Sequence, residues 1–233
     1  MIKEKMMAAL MALVIMIGAP AGMKAQKDLS MRPSNVVKVS VGPSFVPSKV
    51  YAPIFTPVSQ DMAVATGKYK MKNLGGIDAA ATYQHLWGIG IGFGVDYIMN
   101  TTWLAEDLGH FNLHYIGPSF VFAYRGWKRF GIEVAEGIGY VREHAVYYPP
   151  VKFSPWSPPA HQNEESMTEN NGGLGFMSRV GAEYRFNEHL GLGADFCLAT
   201  SRFHLISELD NDGTTEPDGI IRLSLQLGLH YYF

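Results

Sequence analysis

Cysteine, charge and long apolar runs are all scarce in this chain. Its 233 residues include one cysteine, Cys197, so no disulfide can form within the chain and the disulfide-stapled class of exported proteins is excluded. Charged residues make up 17%, and a formal net charge of −2 gives no excess of positive charge for binding nucleic acid. After residue 25, no apolar run reaches the roughly 20 residues that a membrane-spanning helix needs.

Metal-binding motifs are missing as well. None of the histidines stands in a ligand spacing such as His-Glu-x-x-His, and none is clustered with other ligands. The eight histidines are His85, His110, His114, His144, His161, His189, His204 and His230. We therefore expect neither a metal site nor a cofactor.

The amino terminus has the three parts of a secretory signal peptide. Lys3 and Lys5 are followed by an apolar run over residues 6–17, and Ala25 ends a small-residue cleavage site. A membrane anchor is the alternative, but the run is too short to span. The predicted organisation is a signal peptide over residues 1–25, a polar lead over 26–35 and one domain over 36–233.

The last stretch, residues 220–233, alternates strictly between apolar and polar side chains, as a β-strand with one apolar face does. One face has Ile221, Leu223, Leu225, Leu227, Leu229, Tyr231 and Phe233. The other face has Arg222, Ser224, Gln226, Gly228, His230 and Tyr232.

Seven earlier segments show the same alternation, and the glycine and aromatic content also favours short strands over helices. The eight predicted strands cover residues 36–45, 74–86, 89–99, 111–124, 129–141, 173–186, 190–200 and 220–233. The connections between them alternate between long and short. This asymmetry is typical of outer-membrane barrels, which have long extracellular loops and short periplasmic turns.

Three places depart from the pattern. The apolar phase changes at Gly117-Pro118, since Phe111, Leu113 and Tyr115 form the apolar set before it, and this change predicts a β-bulge there. Glu136 falls on the apolar face of its segment, which indicates either a second bulge or a position near the outer interface. In the first long connection, residues 50–55 are suited to extend the first strand.

Aromatic residues stand at the ends of the strands next to the short turns, where a membrane-interface girdle belongs. They are Trp87, Tyr124, Trp127, Phe130, Tyr184, Phe186 and Phe233. With these residues, the signal peptide and the terminal aromatic, the chain resembles the small eight-stranded outer-membrane β-barrel proteins, the OmpA-type or porin-like superfamily.

The resemblance implies an all-β fold, an eight-stranded antiparallel transmembrane β-barrel in the outer membrane. It also implies that Leu229, Tyr231 and Phe233 form a carboxyl-terminal sorting signal. The expected partners are outer-membrane lipid and lipopolysaccharide, the outer-membrane assembly machinery during insertion and an unidentified surface ligand. We expect a monomer and no nucleic-acid partner.

In such a barrel the charged side chains must face the lumen, because charges facing lipid are costly. The predicted luminal set is Lys38, Asp78, Asp96, Glu133, Arg179, Glu183, Arg185, Asp195 and Arg222. Eight strands leave a lumen that side chains can fill, so we expect a closed, ion-paired interior with a structural or surface-interaction role. The alternative is a narrow channel for ions or small solutes, since Gly88, Gly90, Gly92 and Gly94 leave space along one wall.

An enzyme is a further alternative, because some small outer-membrane barrels are lipid hydrolases. Ser201, His204, Ser207 and Glu208 lie near the long-connection end of their strand. His204 and Ser207 are three residues apart, which puts them on opposite faces of a regular strand and prevents a serine–histidine pair. We therefore expect no enzymatic activity.

Two interpretations of other features stay open at this point. The proline-rich connection around Tyr147, Tyr148 and Trp156 is either a rigid extracellular binding loop anchored by these aromatics or a solvated loop. The whole pattern also fits an exported lipocalin-like barrel, with its apolar face inside and its polar face outside.

Overall fold

The structure is a computed structural model that describes the backbone of residues 34–48, 50–59, 62–71, 73–88, 90–104, 109–124, 129–147, 167–203 and 219–233. Side chains are not described at 34, 51–70, 147, 167, 169, 202 and 203. The predicted signal peptide lies outside these ranges, as do Trp127, Tyr148, Trp156, His204, Ser207 and Glu208. None of the described residues forms a helix that could cross a membrane.

Ten strands make up the described structure. They are β1 (Ser34–Val46), β2 (Val50–Ser59), β3 (Met62–Met71), β4 (Leu74–Leu86), β5 (Ile91–Trp103), β6 (Gly109–Tyr124), β7 (Phe130–Tyr147), β8 (Met167–Arg185), β9 (Leu190–Phe203) and β10 (Gly219–Tyr232). Eight of them correspond to the predicted strands, so the predicted all-β class is confirmed. β1 begins within the predicted polar lead, and β7 and β8 extend well beyond the predicted bounds.

These eight strands close into an antiparallel barrel in the order β1-β10-β9-β8-β7-β6-β5-β4. Closure is made by β1, which pairs with β10 on one side and with β4 on the other. Starting at Thr102 in β5 and passing from each residue to its partner on the next strand, one circuit of the wall returns to β5 at Gly92, ten residues earlier in the chain. Such a stagger requires strands tilted by about 35–45° to the barrel axis.

β2 and β3 form a separate two-stranded sheet between β1 and β4. The expectation that residues 50–55 extend the first strand is therefore wrong, because they pair with β3. The two halves of this connection pair with each other as a hairpin, which follows on from the ends of β1 and β4 at the rim of the barrel. At its base, Val50 and Met71 are buried.

The predicted bulge at Gly117-Pro118 is also wrong. The pairing of β6 with β5 runs without a shift through both residues, and the register with β7 is the same on both sides of them. The apparent change of phase has another cause: Phe111, Leu113 and Tyr115 are large apolar residues that face the inside of the barrel. No second bulge occurs near Glu136, whose strand keeps its register with both neighbours.

The barrel has its polar side chains inside and its apolar side chains outside. Val39, Leu227 and Leu229 are 60%, 60% and 64% exposed on the outer wall, while Asp78 and Asp96 are fully buried within. A lipocalin-like barrel requires the reverse arrangement. The lipocalin-like alternative is therefore wrong, and the outer wall is suited to contact lipid.

A luminal ion-pair network as the candidate functional site

The barrel has a short-turn end, with the turns around Trp87 and Asn187, and a long-connection end, with the β2–β3 hairpin. At the short-turn end, Trp87 N–H donates to Ile91 O at 2.8 Å and Gly90 N–H donates to Trp87 O at 2.9 Å. Gly90 adopts a φ of 79°, which a residue with a side chain rarely does. This turn sets the start of β5, two residues later than predicted.

The central charges of the lumen form one network across the barrel, which we call the central network: Lys38, Asp96, Glu133 and Arg179. Lys38 Nζ lies 2.6 Å from Glu133 Oε2, and Arg179 Nη1 lies 2.8 Å from Asp96 Oδ1. Arg179 Nη2 also approaches Glu133 Oε1 at 3.5 Å. The positive charges of two cations equal the negative charges of two carboxylates, and such pairing offsets the cost of burying each charge.

Neutral side chains complete this network. Thr82 Oγ1 donates to Asp96 Oδ1 at 2.7 Å, and Gln84 Nε2 donates to Glu133 Oε1 at 2.7 Å. β1, β4, β5, β7 and β8 each contribute at least one of these groups. Hydrogen bonds of this kind hold opposite walls of the barrel together through its centre.

A second group surrounds Asp78, nearer the long-connection end. Asn100 Nδ2 donates to Asp78 Oδ1 at 2.6 Å, and Gln226 Nε2 approaches Asp78 Oδ2 at 3.3 Å. Arg222 Nε lies 3.4 Å from the same Oδ2 atom. The carboxylate is thus shared among two amides and one guanidinium.

A third group surrounds Glu183 at the short-turn end. Tyr232 donates its hydroxyl hydrogen to Glu183 Oε2 at 2.6 Å, and His230 Nδ1 lies 3.3 Å from the same oxygen. Arg185 lies over the Tyr232 ring, with its Cζ atom 3.7 Å from the ring centroid. These side chains fill the lumen where the chain ends.

The long-connection end of the lumen is filled by apolar side chains, which we call the apolar cap. Its buried members are Val46, Val50, Met71, Leu74, Ala80, Ile98, Leu104, Phe111, Leu113, Tyr115, Val141, Ala145, Met177, Cys197 and Ile220. The sequence interpretation missed the cap because it placed Phe111, Leu113 and Tyr115 on the outer face. The sequence offers no signal that places them inside, because its apolar residues change from odd to even positions at Gly117-Pro118 while the inward-facing positions stay odd.

All nine predicted luminal residues point into the barrel. Eight of them are at most 4% exposed, and the side chain of Arg185, near the short-turn mouth, is 22% exposed. Asp195 is buried among them at 2% exposure. The neutral partners Thr82, Gln84, Asn100 and Gln226 were not predicted as site residues, because polar uncharged residues on a luminal face have no distinctive spacing.

The glycine-lined wall that favoured a channel is occupied by neighbouring side chains. An added Cβ atom at Gly94 would lie 2.6 Å from Ser119 Oγ and 3.3 Å from Gln84 Cγ. Gly92 and Gly94 face inward, whereas Gly88 and Gly90 belong to the turn before β5. The missing side chains therefore make room for polar groups from adjacent strands.

The candidate serine–histidine arrangement has one described member. Ser201 faces the lumen and is buried, so it does not lie on the lipid-facing wall. Its suggested partners His204, Ser207 and Glu208 lie outside the described residues. Within the described ranges, no group of three or more histidine, cysteine or acidic side chains could hold a metal ion.

The residues predicted to act at the ends of the barrel lie on two different surfaces. Leu229, Tyr231 and Phe233 are exposed on the outer wall at the short-turn end, and the rings of Tyr231 and Phe233 stack at 5.9 Å. Tyr147 is the last residue of β7 at the opposite end, and its side chain is not described. The sorting and loop-anchor roles stay predictions.

Structure comparison finds this fold in proteins of low sequence identity. Neisserial surface protein A matches with a TM-score of 0.54 at 11% identity, over 85% of this chain and 97% of that protein. Ail, the attachment invasion locus protein of Yersinia pestis, matches with a TM-score of 0.46 at 12% identity, over 87% of this chain and 99% of its own. The outer membrane protein OprG from Pseudomonas aeruginosa matches with a TM-score of 0.45 at 13% identity, over 88% of this chain and 99% of that protein.

No protein-family model and no curated protein sequence matches the chain. The match to Neisserial surface protein A and the closed eight-stranded wall together confirm the predicted fold, that of the small outer-membrane β-barrels.

Proposed function

We propose that the protein is an integral outer-membrane β-barrel with a closed lumen, and that its role is structural or one of surface interaction. The observation that carries this proposal is the filled interior, in which a charge-balanced network lies beneath an apolar cap. The charges of the central network pair with one another, and the apolar cap fills the lumen at the long-connection end, which fits a closed interior. The functional surface is then the extracellular end.

Membrane location rests on the outer wall and the aromatic positions. Trp87, Tyr124, Phe130 and Phe233 are exposed at the short-turn end, which we assign to the periplasm. At the opposite end the outer face changes to polar side chains, with Asn112, His114 and Arg142 on neighbouring strands. The apolar wall between these rings is suited to outer-membrane lipid and the polar ring to lipopolysaccharide head groups, and we expect a monomer inserted by the assembly machinery.

Membrane fractionation tests the location. The protein should appear in the outer-membrane fraction, and unboiled samples should migrate differently from boiled ones on a denaturing gel, because the closed barrel resists the detergent until heated. Identical migration of both samples, or recovery in the soluble fraction, would contradict the proposal.

Planar-bilayer recording separates the closed barrel from the channel alternative. The refolded protein should show no steady conductance, because the apolar cap and the central network fill the lumen. A steady conductance that is abolished by Arg179→Ala or Asp96→Ala would instead establish the narrow channel. Lipid hydrolysis by the same sample, measured by fatty-acid release, would contradict the non-enzymatic role.

A further inference from the structure

A small cavity lies inside the barrel between the group around Asp78 and the apolar cap. Its volume is about 20 Å³, and Leu113, Val141 and Ile220 form much of its apolar wall. A single water molecule needs about 10–15 Å³ measured in this way, so there is room for one occupant of water size or slightly larger.

Three of the residues that line this cavity carry a buried hydrogen-bond donor without a partner. Arg222 is 3% exposed and its Nη2 atom makes no hydrogen bond, and Ser201 is 8% exposed and its hydroxyl also makes none. The third is the Tyr115 hydroxyl, which lies beside Gly117 and Gly137. Buried donors without a partner are costly, and a bound water or ion is one of the explanations that native proteins provide for them. Arg222 and Ser201 lie on adjacent strands, since β9 and β10 pair along this stretch.

The charge of the lining selects the kind of occupant. Arg222 is the one charged side chain among the lining residues, and none of them is acidic. The nearest carboxylate partner of Arg222, on Asp78, is reached by Nε at 3.4 Å and is also approached by Asn100 and Gln226. Nη2 is thus left as a charged donor beside apolar side chains, and a small anion that accepts from it makes a charge-assisted hydrogen bond, which is stronger than one to a neutral group.

We propose that this cavity is a halide site, in which one chloride-sized anion accepts hydrogen bonds from Arg222 Nη2 and Ser201 Oγ. The volume of about 20 Å³ leaves no room for larger oxyanions. By joining β9 and β10 to the base of the apolar cap, the bound anion stabilises the cap against opening.

Bromide tests the site, because it resembles chloride and scatters X-rays anomalously. Crystals of the full barrel grown in bromide should show one anomalous peak between Arg222 Nη2 and Ser201 Oγ. The peak should be lost in Ser201→Ala and Arg222→Gln, and kept in the control Ser224→Ala, which removes a buried luminal hydroxyl outside the cavity lining. A peak that survives both cavity variants is an adventitious ion only, and a site that holds water alone in high bromide overturns the proposal.

A second measurement, made in solution, keeps the proposal testable if one of the cavity variants fails to fold. Bromide titrated at constant ionic strength against gluconate should raise the unfolding midpoint of the wild-type barrel through preferential binding to the folded state. Ser201→Ala should weaken the apparent bromide affinity roughly tenfold, since one charge-assisted hydrogen bond is lost. Equal bromide responses from wild type, Ser201→Ala and Ser224→Ala would contradict a site at this cavity. The outcome is independent of membrane location and conductance.

Discussion

At the scale of single residues, Glu133 is the most connected acid of the central network. Its carboxylate accepts from Lys38 at 2.6 Å and from Gln84 at 2.7 Å, and it faces Arg179 at 3.5 Å. Removing one member of a buried ionic group leaves the other members buried without compensation.

Glu133→Ala should therefore lower the free energy of unfolding by about 3–5 kcal/mol, because Lys38 and Arg179 lose a shared counter-charge. Urea unfolding of the barrel refolded in lipid vesicles measures the loss. Glu188→Ala, at an exposed turn position, is the control and should change the free energy by less than about 0.5 kcal/mol. Similar losses in both variants would show that the central network contributes little to stability.

Glu136 is an acid on the outer wall. Its Oε1 accepts a hydrogen bond from Ser178 Oγ at 2.8 Å, and on the other side its paired residue is Phe120. Ile138 and Val180 are exposed nearby on the same apolar wall. The sequence correctly placed this carboxylate on the apolar face, but it could not reveal the serine on the next strand that partly satisfies it.

Glu136→Leu should raise the free energy of unfolding in lipid vesicles by about 1 kcal/mol, because an acid facing lipid costs less than a basic residue but is still unfavourable. Ser178→Ala should lower it by about 1 kcal/mol in the wild type and leave it unchanged in the Glu136→Leu background. A double-mutant cycle measures this coupling. Additive effects of the two changes would indicate that the hydrogen bond does not form in the membrane.

At the scale of strands, β10 shows how position along the barrel sets the cost of a substitution. Leu227 lies in the middle of its outer face and Ile221 near the extracellular end. Leu227→Lys should cost about 2–4 kcal/mol, and Ile221→Lys about 0–1 kcal/mol, because a lysine near the interface reaches water. Unfolding in vesicles compares the two. Equal costs would mean that the membrane does not cover β10 as proposed.

Alternation predicts the strands of this barrel well, because each strand separates lipid from lumen and every second residue reports that separation. β4 begins at Leu74 and ends at Leu86 as predicted. The same rule fails above the membrane, where both faces of a strand meet protein or water. The β2–β3 hairpin and the extensions of β7 and β8 lie in that region, which is why they were missed or shortened.

The rule also fails where the lumen itself becomes apolar. Phe111, Leu113 and Tyr115 alternate as lipid-facing residues do, yet they form part of the apolar cap. Periodicity gives the two faces of a strand but does not say which face is inside. The charged residues settled that question in the central part of the barrel, and no charge settles it at the start of β6.

At the scale of the whole molecule, the barrel and the β2–β3 hairpin are held by separate sets of hydrogen bonds. The wall is closed by β1 and β4, which pair along their whole length, while β2 and β3 pair with each other. Among the described side chains, Val50 and Met71 link the two parts, because both are buried in the apolar cap. Closure of the wall is therefore expected not to depend on the hairpin.

Replacing residues 49–72 by a short turn should leave a barrel that still migrates differently before and after boiling, because β1 and β4 can be joined directly. Its free energy of unfolding should fall by about 2–4 kcal/mol as Val50 and Met71 leave the apolar cap. Val39→Pro is the contrasting variant: it removes a ladder donor from β1, where Val39 is paired with both Ala81 and Leu229, and it should abolish the heat-dependent shift. If removing the hairpin also abolished the shift, the hairpin would be needed for closure, and the extracellular end could not be exchanged independently of the wall.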